Sequence, residues 1–244
     1  MSDTRPAAIV TGGNTGIGAA IAQRLLERGH EVFCLSRRAP DWTHGKLRHV
    51  AVDLVDAEAT RVVAESVATS AKIGVLVHNA GAIRASLVDS VTMRDLHDLT
   101  QLHLGAAIEL VQACLPAMKA AQHGRVVLLS SRAALGLQTR TVYSATKAGL
   151  IGMARTWALE LAPFGITVNV VAPGPIADTE MFEGVMSPES ERAKALAKSI
   201  PVGRLGRSMD VARAVEFFVA PESDFITGQT LFVCGGASIG SITI

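Results

Sequence analysis

Seven short runs of apolar and β-branched residues punctuate the chain, at 8–11, 31–35, 47–52, 73–77, 125–129, 167–171 and 230–233. Each is too short for a stable helix and runs within two residues into Gly, Ser, Asp, Asn or Pro, as strands do. Between them, segments 17–28, 57–69, 93–120, 142–162 and 209–219 space their apolar residues at helical intervals. Strand–helix alternation predicts an α/β fold, a parallel sheet with helices on both faces. Segment 175–201, bounded by Pro175 and Pro201, breaks the rhythm. Its charged helical stretch 189–198 follows Met181, Phe182, Val185 and Met186, and it reads as an excursion from the sheet, a substrate lid. Neither a repeat nor a low-complexity linker divides the chain, so residues 1–244 are expected to form one domain.

With 49% hydrophobic and 18% charged residues, the sequence describes a compact protein with a sizeable core. A formal net charge of +1 without a basic run argues against nucleic acid or an anionic membrane as the main partner. Cys34, Cys114 and Cys234 are few, odd in number and set among apolar neighbours, which fits buried reduced thiols better than a disulfide framework. No basic-then-apolar leader opens the sequence, and no stretch reads as long and apolar enough to span a bilayer. The expectation is a cytoplasmic protein with no membrane partner and no metal site.

Chemistry concentrates where strands end. Thr11-Gly12-Gly13-Asn14-Thr15-Gly16-Ile17-Gly18 follows the first strand and opens the first helix. Glycines there permit a tight turn, let a pyrophosphate approach the backbone and let helix pack on sheet. The spacing departs from the common Gly-x-Gly-x-x-Gly fingerprint. After the second strand come Ser36, Arg37 and Arg38, where an acid would bind the ribose hydroxyls of NAD. A guanidinium at Arg37 or Arg38 instead suits a 2′-phosphate and favours NADP(H), a solvated basic strand end being the plainer reading. Asp53, closing the third strand with Leu54 behind it, is a candidate for the adenine or an ordinary turn acid. Tyr143, the only tyrosine, stands four residues before Lys147, so on a helix the ammonium sits beside the phenol. A nearby cation favours the phenolate, moving a group that titrates near ~10 toward the range of general acid–base chemistry.

Together with His78-Asn79-Ala80-Gly81 after the fourth strand, Ser130-Ser131 after the fifth and Pro173-Gly174 after the sixth, these motifs resemble the short-chain dehydrogenase/reductase family along nearly the whole chain. The resemblance implies a Rossmann-like, doubly wound, seven-stranded sheet in the order 3-2-1-4-5-6-7, with a nicotinamide cofactor at the strands' carboxyl ends. Asn79, Ala80 and Gly81 would line its adenosine side; Pro173, Gly174, Ile176 and Thr179 would contact its nicotinamide half. The implied reaction interconverts a ketone and a secondary alcohol by hydride transfer. Tyr143 would move the proton, Lys147 would hold the nicotinamide ribose and lower the tyrosine pKa, and a serine would hydrogen-bond the substrate oxygen. Family spacing selects Ser130, whereas the second of a Ser-Ser pair is the usual choice; the reading adopted is Ser131.

His103 stands where the family usually has an asparagine of a proton relay. Leu96, Leu99, Ala107 and Leu110 at helical offsets put it on a buried face, so it is either a hydrogen-bonded core residue or a titrating member of that relay. Leu135, Leu137, Met181, Phe182 and Met186 suggest an apolar substrate body. The closest subgroup by general look is the 3-oxoacyl-[acyl-carrier-protein] reductases, but Gln122 and Phe164 stand where those enzymes tend to hold basic residues for the acidic carrier. A small ketone or secondary alcohol, free or as a thioester, is therefore expected at least as much as a carrier-bound chain; the carrier-bound reaction is the alternative, and a non-catalytic nucleotide sensor the reading from another class. The family's habit of associating through its two long helices and last strand implies a homotetramer, or a dimer, with the apolar tail at 239–244 contributing.

Overall fold

The structure, a computed structural model, describes residues 5–239. Its strands are β1 (Ala7–Thr11), β2 (Val32–Ser36), β3 (Leu47–Ala51), β4 (Ile73–His78), β5 (Gly124–Leu129), β6 (Ile166–Pro173) and β7 (Thr230–Val233). They form one sheet in the order β3-β2-β1-β4-β5-β6-β7, every pair parallel. The chain starts mid-sheet, winds out to β3, then returns to lay β4 against the other side of β1. Helices leave β1 and β4 toward opposite faces, which opens a crevice at their carboxyl ends.

Around the sheet lie α1 (Gly16–Glu27), α2 (Ala57–Ser70), α3 (Met93–Thr100), α4 (Ala106–Ala121), α5 (Thr141–Leu161), α6 (Glu180–Glu183), α7 (Glu191–Ser199) and α8 (Ser208–Val219). Strand alternation divides the core into two layers. Val75 and Val77 of β4 pack with Ile21 and Leu25 of α1 and with Val215 and Phe218 of α8. Leu76, between them, packs on the other face with Leu110 of α4 and Leu150 of α5. The Arg24 guanidinium adds a bridge from α1 to Glu216 of α8 at 2.8 Å.

The segment expected as one long helix is two. A π turn, Gln101–Gly105, separates α3 from α4 and carries His103. Such turns insert a residue into the i→i−4 ladder and free carbonyls for other partners. By length and hydropathy alone, Met93–Ala121 would pass for a membrane span, with a mean hydropathy of 1.2 in its most apolar window, contrary to the sequence reading. Here its inner face belongs to the core: Leu99, Ala107, Leu110, Cys114 and Met118 are buried. The excursion after β6 does leave the sheet, carrying α6 and α7. Residues 240–244 of the apolar tail lie outside the described residues.

Candidate active site

A cavity of about 500 Å³ opens along the carboxyl ends of the strands. Its end beside the glycine turn is held by the first and fourth strands. The Thr11 hydroxyl accepts the amides of Asn79 and Ala80, both at 2.9 Å. Its own proton goes to His78 Nδ1 at 3.2 Å, and His78 Nε2 donates to the Leu102 carbonyl of the π turn at 3.2 Å. Burial, with the charge of Lys147, holds His78 down to about 3, so it serves this net as a neutral ring. Asn79 Nδ2 donates to the Thr11 and Gly12 carbonyls at 3.1 and 3.3 Å, fixing the glycine turn.

Gly12 has φ +63, a left-handed conformation that side chains resist. At Gly18 a Cβ would stand 1.9 Å from the Gly12 carbonyl oxygen, so the turn closes only on glycine there. Thr15 caps α1 without a side-chain hydrogen bond, and no acidic residue occupies the first turn. The helix thus presents free N–H groups and its positive end to the cavity, lined here by Gly12, Asn14, Thr15, Gly16, Ile17 and Gly18. That is a fit for a pyrophosphate.

Ser36, Arg37, Arg38, Asp53 and Leu54 line the same end. Arg38 pairs with both carboxylate oxygens of Glu180, at 2.7 and 2.9 Å, so the start of the excursion reaches back to the strand β2 end. Both partners are mostly exposed, and such pairs are worth at most about 1 kcal/mol, so the guanidinium is readily recruited by another anion. Asp53 accepts the Val55 amide at 3.1 Å, which is the turn role, while still lining the cavity. Asn79, Ala80, Gly81, Pro173, Gly174, Ile176 and Thr179 line it further along. Thr179 caps α6 and donates to the Ile176 carbonyl at 3.0 Å.

Two serines that adjoin in sequence part company in space. Ser130 is buried and donates to the Lys147 carbonyl at 2.7 Å, a bond that pins helix α5 to the end of β5. Ser131 accepts the Ala133 amide at 3.1 Å and lies close enough to the Tyr143 phenol to draw its pKa down. Tyr143 and Lys147 are both buried apart from their tips at the cavity. The Lys147 ammonium donates to the Leu129 carbonyl at 2.7 Å and stands 5.7 Å from the Tyr143 ring centre. Burial pushes Lys147 down to about 7. It also raises the Tyr143 phenol, opposed by Ser131 and by the charge of Arg140.

A family profile described as enoyl-(acyl carrier protein) reductase matches residues 12–238. The chain is 35% identical over 237 residues to the 3-oxoacyl-[acyl-carrier-protein] reductase FabG of Escherichia coli (strain K12), covering 94% of this chain and 96% of that one. The chain belongs to the short-chain dehydrogenase/reductase family. Among solved structures, a short chain dehydrogenase/reductase family protein superposes with a TM-score of 0.87 at 31% identity, over 98% of this chain and all of the other. The blue fluorescent protein from a metagenomic library, in complex with NADPH, does so with 0.83 at 28% identity, over 97% and 99%.

For a short-chain NAD(P)-dependent oxidoreductase, three features of this site add to the sequence reading. Arg140, three residues before Tyr143 and unremarked in the sequence, lines the same cavity, and its charge opposes the burial that raises the phenol, alongside the Lys147 ammonium 5.7 Å from the ring centre. The i−3 spacing was the signal for it. His103 is wholly buried and stands behind the cavity wall rather than on it. Its Nε2 accepts the Ala82 amide at 3.3 Å, so Nδ1 carries the proton and donates to Thr146 Oγ1 at 2.8 Å. Burial foremost, then the charges of Lys147 and His78, drive its pKa far below the ordinary value. Of the two alternatives its hydrogen bonds and burial favour the core arrangement, a ring edge-on to Tyr143. Leu137, Met181, Phe182 and Met186 line the cavity as expected, but Leu135 is 58% exposed and lies outside its wall.

Proposed function

We propose that this protein is an NADP(H)-dependent oxidoreductase that interconverts a ketone and a secondary alcohol, with Tyr143 as general acid and base. One observation carries the reading: Ser131, Tyr143 and Lys147 converge on the wall of the very cavity into which the glycine turn and the uncapped α1 open. Bound cofactor supplies or accepts the hydride. The protein's own part is to hold the substrate oxygen between the Ser131 hydroxyl and the Tyr143 phenol, and to pass it a proton from the phenol in reduction. Lys147 binds the nicotinamide ribose and contributes positive potential, Arg140 adds charge at the phenol, and His103 positions the helix segment between Tyr143 and Lys147 through Thr146. Arg37 and Arg38 take the 2′-phosphate of NADP. The sheet and its excursion over 175–201 act as one catalytic unit, the excursion as lid.

The test is a panel of carbonyls and alcohols assayed with NADPH and with NADH. Faster turnover of at least one ketone with NADPH supports the reading; turnover with NADH alone overturns the cofactor choice, and none with either overturns the activity. A carrier-bound 3-oxoacyl substrate is the second reading, favoured by the 35% identity to FabG and by Lys119, which stands 4.5 Å over the Phe164 ring. Three buried free thiols support a reducing, cytoplasmic setting. Exposed Phe217, Phe225 and Leu231 beside the edge strand β7 support assembly through that edge, as in a homotetramer.

A further inference from the structure

The cavity's charge is uneven. Six basic side chains line it, Arg37, Arg38, Arg84, Arg132, Arg140 and Lys147, against three acidic ones, Asp53, Asp98 and Glu180. At the cofactor end Arg38 is answered by Glu180. Beyond the tyrosine, Arg84 faces Asp95 only at 3.6 Å, and Asp98 is drawn toward Arg94 at 3.9 Å. Arg132 and Arg140 form no ion pair among the described residues.

Arg140 is also held in place at a cost. It caps the N-terminus of α5 with no side-chain cap bond, where a cation opposes the helix dipole. Thr139 before it has φ +63, a left-handed conformation that β-branched residues avoid and that persists only where the surroundings impose it. The surroundings do so: Ser86 bridges to Arg140 and donates its amide to the Thr139 carbonyl at 3.0 Å, and the Thr139 hydroxyl accepts from the Arg140 guanidinium at 2.5 Å. Meanwhile Arg140 Nε is buried without a partner. A strained, wrongly charged cap that leaves a buried donor unused is poor packing but a good anion receptor.

We infer that the substrate carries a carboxylate close to its reacting carbonyl, and that Arg140, seconded by Arg132, receives it. This rests on the ketone–alcohol reading above and narrows its substrate from a neutral carbonyl to an oxo or hydroxy acid. The apolar side chains of the excursion, Met181, Phe182 and Met186, then cover the rest of the molecule. A pantetheine phosphate does not serve in its place, because Arg140 caps the helix that carries Tyr143 one turn on and both line the same cavity, so the guanidinium reads a group near the carbonyl, not one at the end of a long arm.

The experiment compares a 3-oxo acid, its methyl ester and the matching oxo-phosphonate as substrates with NADPH, for wild type, Arg140→Gln and Arg140→Lys. The readout is the ratio of kcat/KM for acid over ester within each protein, so that a general loss of activity cancels. Wild type is expected to favour the acid ~10-fold or more, the ratio to fall to about one in Arg140→Gln, and Arg140→Lys to lie between, since it keeps the charge without the fork. Arg140→Lys decides alone should the glutamine variant not fold. A wild-type ratio of one or less, or a ratio unmoved by substitution, overturns the inference; a preference for the phosphonate overturns the choice of carboxylate. Ester turnover without acid preference leaves the reductase reading intact and sinks only this one. Should nothing turn over, the reductase reading fails instead, and calorimetric titration of the hydroxy acid against its ester into enzyme with NADP decides for Arg140 by the same ratio.

Discussion

The two ends of the cleft are built from different materials. At the cofactor end the work is done by backbone: a glycine turn, free amides of α1, and the Thr11–Asn79 net that locks parallel neighbours β1 and β4 together. Beyond the phenol it is done by side chains on irregular segments, the loop from Ser131 to Arg140 and the excursion with α6 and α7. Backbone geometry suits a cofactor shared by many enzymes, whereas side chains on loops can be exchanged without disturbing the sheet. On the proposed function, the difference gives cofactor binding to one end and substrate choice to the other.

The sharpest way to break that division is at the junction. Tyr143→Phe removes the transferable proton while keeping the ring against His103, and kcat is expected to fall by ~10²–10⁴, with NADPH affinity by fluorescence titration nearly unchanged. Equal losses in both would mean the phenol belongs to the cofactor end. Next come the paired serines. Ser131→Ala should lower kcat by ~10²–10³, the scale for one donor to a developing oxyanion. Ser130→Ala should instead appear as about 1 kcal/mol of lost stability, because its bond goes to the Lys147 carbonyl. If Ser130→Ala is the variant that abolishes turnover, the assignment is reversed.

Gly18→Ala probes the backbone end. Its Cβ would strike the Gly12 carbonyl and come within 2.6 Å of Asn79 Nδ2. Overpacking of this kind costs about 1–3 kcal/mol, seen as a lower Tm and weaker NADPH binding. The acid-to-ester ratio of whatever activity survives should not move. The smallest effect is expected at His103. Held neutral by burial, it has no proton to exchange in the ordinary range, so the pH–rate profiles of wild type and His103→Asn should superimpose between about pH 5 and 8. A limb present in wild type and missing in the variant would restore it to a proton relay.

The same division governs what could be read in advance. The strands, the glycine turn, Asn79 and the Tyr/Lys pair are local in sequence, and each sits where its predicted element puts it, while strand order came from the family resemblance and matches it. Helical offsets made the burial of His103 legible, but the enclosure of Lys147 and long-range pairing were not. Lys147 looked like a plain cation until the fold enclosed it beneath the Leu129 carbonyl. The π turn at Gln101–Gly105 has no signature in hydropathy, because Leu99 and Leu110 keep helical phase well enough across it. Arg140 was passed over because its meaning lies in having no acidic partner, a property of the folded cavity. The choice between Ser130 and Ser131 was a matter of strand alternation at the end of β5, and the structure shows the two hydroxyls bound to different partners.

One measurement addresses the central claim directly: turnover of a ketone with NADPH carrying deuterium at both positions of C4 of the nicotinamide, for wild type and Tyr143→Phe, with the alcohol examined by NMR. Label at the carbinol carbon in wild type, and its near-absence with the phenylalanine variant under the same conditions, is the predicted result. Deuterium that never reaches that carbon, or that reaches it as fast without the phenolic hydroxyl, would contradict it.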